Sequence, residues 1–261
     1  FMFYALAREL IDTGGLRFEH VLSDIESLNR EAFQGTYEVT AVTIHAYAHL
    51  DDRYALLGSG ASMGDGYGPV LVARDSVGSE QLAGMTVASP GRLTSAALAL
   101  KMWNPALQTV TRPFDEIMPA VSSSEVGAGV VIHEGQLTWQ DEGFEKIVDL
   151  GVWWSEETGG LPLPLGGNVI RRDLGSAMCE RAAALLKATI EYSLANRDKA
   201  LDYALDFGRG LDRDKADRFV GMYVNELTVD YGERGRAAMK TFLDRAFQEG
   251  LIPKVPVLDF L

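Results

Sequence analysis

GPVLVARD, from Gly68 to Asp75, and its loose echo GNVIRRD, from Gly167 to Asp173, are the two stretches on which the fold turns. Each is a short apolar run closed by Arg and Asp. Such a run, introduced by Gly or Gly-Pro, reads as a strand buried on both faces. The two copies lie far apart and bracket a series of alternating strand-like and helix-like segments. That spacing suits a chain that leaves one lobe and later returns to it. Two strands crossing between lobes act as a hinge, and ligands bind in the cleft between. Chance similarity of two apolar strands is the competing reading.

Working outward, the alternation is that of an α/β protein. Leu16 to Val21 reads as a strand. Asp24 to Phe33 reads as a helix, with Ser23 or Asp24 as its cap and Gly35 as its stop. Val39 to Ile44 is a short apolar strand. A second series follows: strand Gly84 to Ser89, helix Thr94 to Met102, strand Gln108 to Arg112, helix Asp115 to Ser122 and strand Ala128 to His133. From Leu174 the pattern is almost wholly helical. The expected organisation is therefore two-lobed, with a central cleft and two hinge-crossing strands. Residues 1–75 with 167–261 make the larger lobe and 76–166 the smaller.

Composition narrows the function. Of 261 residues, 47% are hydrophobic and 23% charged, so a packed core is expected. A formal net charge of -13 disfavours nucleic acid and anionic membrane surfaces as partners, since both reward Lys and Arg. It leaves open an anionic small molecule, which responds to local potential. The single cysteine, Cys179, sits among apolar residues and reads as a packed thiol, compatible with a reducing cytoplasm. No apolar run reaches the roughly 18 residues that span a bilayer. The chain opens on Phe1 inside a helix-like stretch, so a preceding strand and turn, or a cleaved signal peptide, is expected ahead of it.

The residues that carry chemistry lie at strand ends. His133 follows Gly129-Val130-Val131-Ile132, at the carboxyl end of a strand, where open α/β sheets place ligands. Imidazole acts as a base near neutral pH with little tuning; a structural hydrogen bond is the alternative. Glu134 reads as its orienter or as a solvated carboxylate. Thr94 and Ser95 follow Pro90-Gly91-Arg92 at a helix start, where hydroxyls and free N–H groups hold an anion. Ordinary capping would use one of them and leave the other free. Thr43, at the end of Val39 to Val42, is the matching candidate in the other lobe. Gly66 and Gly68 read as glycines that let backbone approach a ligand, with a plain turn as alternative. Arg92 offers a bidentate fork for a carboxylate, or a surface salt bridge. Leu163, Pro164 and Leu165 read as a rigid apolar edge. Trp153 and Trp154, if in a strand, point oppositely. His45 and His49 have the spacing of a metal-binding pair, but no third ligand is apparent and no metal is expected.

A resemblance spans the whole chain. FMFYALA at 1–7, SDIESLN at 23–29, Ala46-Tyr47-Ala48 before Asp52-Arg53-Tyr54, and GYGP at 66–69 resemble the 1,4-dihydroxy-6-naphthoate synthase family of the futalosine route to menaquinone. So do Pro90-Gly91-Arg92 with Thr94-Ser95, AGVVIHEG at 128–135, VDLGVWW at 148–154, LPLPLGG at 161–167 and YVNELTVDYGERG at 223–235. The resemblance implies a type II periplasmic-binding-protein fold turned to catalysis. It implies a lyase that cleaves a carbon–carbon bond in cyclic dehypoxanthine futalosine without metal or organic cofactor, in the cytoplasm. His133 is then the general base and Ser95 a substrate contact, with Thr43, Thr94, Ile132, Gly66, Gly68, Arg92 and Leu165 expected around an anionic, carboxylate-bearing substrate. The family's opening strand and Ser-Pro/Asp-Thr turn would precede Phe1. Chorismate dehydratase of the same pathway and a non-catalytic solute-binding protein are the alternatives; AGVVIHEG and LPLPLGG favour the synthase.

Overall fold

The computed structural model describes residues 1–207 and 212–261. Its strands, in chain order, are β1 (Val39–Thr43), β2 (Tyr54–Leu56), β3 (Ser62–Gly64), β4 (Val70–Ala73), β5 (Thr86–Ser89), β6 (Gln108–Thr111), β7 (Ala128–Val131), β8 (Glu145–Asp149) and β9 (Leu163–Arg171). They form two sheets. In the first, β9 lies between β1 and β2, antiparallel to both, and also pairs β3. In the second the order is β6-β5-β7-β4-β8, with β5 parallel to β6 and β7, and β4 antiparallel to β7 and β8.

The helices are α1 (Tyr4–Ala7), α2 (Ile25–Gln34), α3 (Ile44–Tyr47), α4 (Ser79–Ala83), α5 (Ser95–Trp103), α6 (Ile117–Ser122), α7 (Gly135–Thr138), α8 (Leu150–Thr158), α9 (Ser176–Ala195), α10 (Arg197–Leu205), α11 (Arg213–Tyr223), α12 (Glu226–Val229) and α13 (Gly232–Gln248). Local chemistry sets their ends. Asp24 caps α2 by accepting from Ser27 N, and Gly35 closes it in the left-handed conformation. Thr94 caps α5 through Ala97 N, and Asp149 caps α8 through Gly151 N and Val152 N.

β4 shows why a continuous apolar run is needed. All four residues are buried, and the pleat sends them alternately to two cores. Leu71 and Ala73 join the large core with Val87, Val130, Val169, Trp154 and Phe242. Val70 and Val72 join Ala88, Ile117, Val121 and Val131. Each fully buried aliphatic side chain here contributes about 1.5–3 kcal/mol.

The two echoed stretches belong to different sheets. β4 pairs only with β7 and β8, so Val70–Ala73 lies inside the second sheet, and 167–171 lies inside β9 of the first. Neither strand crosses between sheets. The chain crosses instead at 65–69 and returns through α8 and the turn at 159–162. β4 thus lies with the second sheet although it precedes the expected boundary at 75, and the expected boundary at 167 falls within β9. The reason is pairing: similar apolar runs found different partners. At the crossing the backbones touch. A Cβ on Gly68 would stand 2.8 Å from Gly151 N.

Three local expectations also change. Residues 16–21 form no strand; Arg17, Glu19 and His20 alternate with no sheet edge to pair. Trp153 and Trp154 lie on α8, so they are not on opposite faces of a strand. Trp154 is fully buried, donates to Pro162 O at 3.1 Å and meets Phe242 edge-on, whereas Trp153 stacks under Arg245. The tail beyond α13 covers the β2 edge: Leu56 N donates to Asp259 O and Leu261 N to Leu56 O, both at 2.9 Å.

Candidate active site

The seam between the sheets is built from short polar side chains at element ends. Asn29, on α2 and fully buried, donates from Nδ2 to Thr43 Oγ1 at 3.2 Å and accepts at Oδ1 from Thr43 N at 3.0 Å. Thr43 ends β1 and caps α3, accepting from Ala46 N at 3.1 Å; its hydroxyl donates across the seam to Leu93 O. His45 continues the seam: Nδ1 faces Thr94 O at 3.3 Å, and its N–H donates to Ser95 Oγ at 3.3 Å. Ser95 in turn donates to Leu165 O at 2.7 Å, on β9. Thr94 donates to Gly91 O at 2.9 Å while capping α5. Thr43, Thr94, Ser95 and Leu165 are therefore brought together from three distant segments. Burial pulls the His45 imidazole down to about 4, so it is neutral at pH 7.

Beside the seam lies a cavity of about 400 Å³. Ser23, Asp24, Ile25 and Leu28 of the first lobe form one wall; Phe114, His133 and Glu134 of the second form another. Leu201, Ala204 and Leu205 of α10, Phe207 just beyond it, and Ala216, Phe219 and Val220 of α11 close it. A few polar groups, His133 among them, in a mostly apolar wall are the arrangement expected of a ligand site. Its ring meets Phe114 edge-on, centroids 4.8 Å apart. Its backbone has φ 54°, the left-handed region that is costly for a residue with a Cβ. Strain of this kind persists only where surrounding structure enforces it, and here it turns the side chain off the end of β7.

A second carboxylate borders the seam. Glu26, two residues into α2 from its cap, reaches the turn at Gly91 in the other lobe. Burial pushes its carboxyl up, against the pull of Asn29, Arg30 and Arg92. Among the described residues, no group of three or more His, Cys, Asp or Glu is placed to hold a metal ion.

Residues 1–248 match the family described as Menaquinone biosynthesis. The chain belongs to this family. Two curated relatives are both called 1,4-dihydroxy-6-naphtoate synthase. The one from Thermus thermophilus is 38% identical over 256 residues, covering 98% of this chain and 93% of its own. The one from Streptomyces coelicolor is 36% identical over 259 residues, covering 97% and 90%. A crystal structure of an Archaeoglobus fulgidus protein superposes with a TM-score of 0.91 at 48% identity, over 96% of this chain and 93% of that one. The alkanesulfonate-binding protein of Xanthomonas axonopodis pv. citri, bound to MOPS, superposes with a TM-score of 0.72 at 12% identity, over 98% and 92%. At that identity the likeness shows the fold alone, a two-lobed periplasmic-binding-protein architecture.

For this menaquinone-biosynthesis chain, the expected residues divide. His133 lines the cavity, and Ile132 beside it packs on the large core. Ser95 is not left free by the Thr94 cap, because Leu165 O takes its hydroxyl. Gly68 approaches the α8 backbone, while Gly66 has φ 76° over open space, as a turn requires. Arg92 is exposed, on the outer side of the Gly91 turn. Leu163 is wholly buried in the core. His45 is tied to backbone, and His49 lies 5.9 Å from it, ring to ring. Asn29 and the α10–α11 wall were missed. Asn29 sits within SDIESLN, and the wall had a signal in the apolar spacing of Leu201 with Leu205 and Ala216 with Val220.

Proposed function

We propose that this chain is a carbon–carbon lyase that converts cyclic dehypoxanthine futalosine into 1,4-dihydroxy-6-naphthoate, with His133 as general base. The observation that carries the reading is near-full-length identity to two relatives bearing the synthase name. Imidazole at the cavity wall takes a proton from the substrate. The electrons released break a carbon–carbon bond as the ring becomes aromatic. Developing charge on oxygen needs preorganised donors, and the Thr43, Thr94 and Ser95 hydroxyls supply them by exchanging their backbone carbonyl partners for the ligand. Arg92 meets a substrate carboxylate at the cleft mouth.

Closure of the first-sheet lobe on the second-sheet lobe about 65–69 and 159–162 excludes water and fixes the geometry. The apolar α10–α11 wall suits an aromatic product. The reaction needs no metal or organic cofactor and takes place in the cytoplasm. Among the described residues, no helix is long and apolar enough to cross a membrane.

The test is turnover of purified protein on cyclic dehypoxanthine futalosine before and after exhaustive chelation, with product detected by absorbance and mass. Equal rates support the reading. Loss restored by one added metal overturns cofactor independence. A protein that binds a small anion but turns over neither this substrate nor chorismate is a solute-binding protein.

A further inference from the structure

Glu26 borders the seam, and the mechanism above leaves it unused. An acidic residue in the first turn of α2 has an ordinary role, facing the positive end of the helix dipole. That role is served equally by an exposed carboxylate. Glu26 Oε2 is instead buried and has no hydrogen-bond partner among the described residues. Leaving a carboxylate oxygen dry and unpaired costs more than leaving a neutral acceptor so.

The oxygen is packed against the opposite lobe. It sits against Gly91 in the opposite lobe, where a Cβ would collide with it, and Thr94 Cγ2 would lie 2.9 Å from that same Cβ. Only glycine at 91 lets the carboxylate approach this closely. Asn29, one turn along the same helix, is locked to Thr43. Ile25 and Asp24, the helix neighbours of Glu26, line the His133 cavity. An acceptor left unpaired where the two lobes meet is suited to a ligand O–H that enters as they part.

We propose that Glu26 is a substrate-binding residue that accepts a hydrogen bond from a hydroxyl on the sugar-derived part of the ligand. The proposal rests on the lyase reading above. A nucleoside-derived substrate that has lost its base still carries sugar hydroxyls, and the naphthoate product has shed that part. Glu26 therefore discriminates substrate from product and aids release.

The experiment compares wild-type protein with E26Q and E26A. It measures steady-state kinetics on cyclic dehypoxanthine futalosine, calorimetric binding of 1,4-dihydroxy-6-naphthoate, and thermal melts. E26Q keeps the shape and removes the charge. It is expected to raise KM roughly 10- to 100-fold, the range for a hydrogen bond to a charged group, with kcat changed much less. Affinity for the naphthoate is expected to be unchanged in both variants. An unaltered KM in E26Q overturns the proposal. So does a parallel loss of substrate and product affinity with a lowered melt, which marks Glu26 as a structural clamp. If the wild-type protein itself fails to turn over the substrate, the lyase reading falls, and this proposal with it.

Discussion

His133 carries two separable properties, a ring in the cavity and a strained backbone. Replacing it tests both. His133→Ala and His133→Gly each remove the imidazole and its edge-on contact with Phe114. Both are expected to lose activity by roughly 10²–10⁴-fold, the usual contribution of a general base. Only glycine tolerates φ 54° without strain. The glycine variant should therefore be more stable than the alanine variant by about 1 kcal/mol, read from urea midpoints. Equal stabilities would mean the backbone relaxes once the ring is gone, and near-normal kcat in either would remove His133 as the base. Cys179 offers the contrast of a residue with no such tension. It is buried, burial pushes its thiol up, and Sγ donates to Arg171 O at 3.4 Å, as a packed thiol should.

Among elements, the crossing at 65–69 is the most constrained. Asp149 anchors the element it meets there: its carboxylate caps α8 through Gly151 N at 2.9 Å and Val152 N at 3.1 Å. Gly68→Ala places a methyl 2.8 Å from Gly151 N and 2.9 Å from Gly151 Cα, backbone that cannot rotate aside. The expected cost is about 1–3 kcal/mol of stability, the range for overpacking. Gly66→Ala meets no atom within 4 Å and is limited by its φ of 76° alone, so about 1 kcal/mol is expected. Chemical denaturation of the two variants checks the order. A larger loss in Gly66→Ala would show that conformation, and not contact, governs this crossing. A raised KM with unchanged stability in either would restore the reading of these glycines as ligand contacts. The capping of α2 was legible because Asp24, Ser27 and Gly35 lie within one local segment. The crossing was not, because Gly68 and Gly151 meet only in the folded chain.

At the scale of the whole molecule, the seam makes stability depend on pH. His45 has a folded pKa of about 4, against about 6.5 for free imidazole. Between these values the unfolded chain binds a proton that the folded chain refuses, so stability falls as pH drops through this window. At about 1.4 kcal/mol per unit the loss approaches 3 kcal/mol by pH 4. His45→Asn, which keeps a donor toward Thr94 O, should flatten the decline between pH 7 and pH 5 in urea melts. An identical slope in the variant would assign the effect to His20 and His49, which burial also lowers. The sequence by itself determined what local chemistry decides: the α/β alternation, the capped α2 and α5, the fully buried run at 70–73, and a histidine off the end of β7. Its whole-chain motifs also carried the family. Only the tertiary structure decided that the two similar strands enter different sheets, that WW lies on a helix, and that Glu26 reaches Gly91. Those outcomes depend on which distant partner each segment pairs with, and an apolar run specifies burial without specifying its neighbour. Pairing is settled by the total packing of both lobes, a property that no short stretch of residues contains.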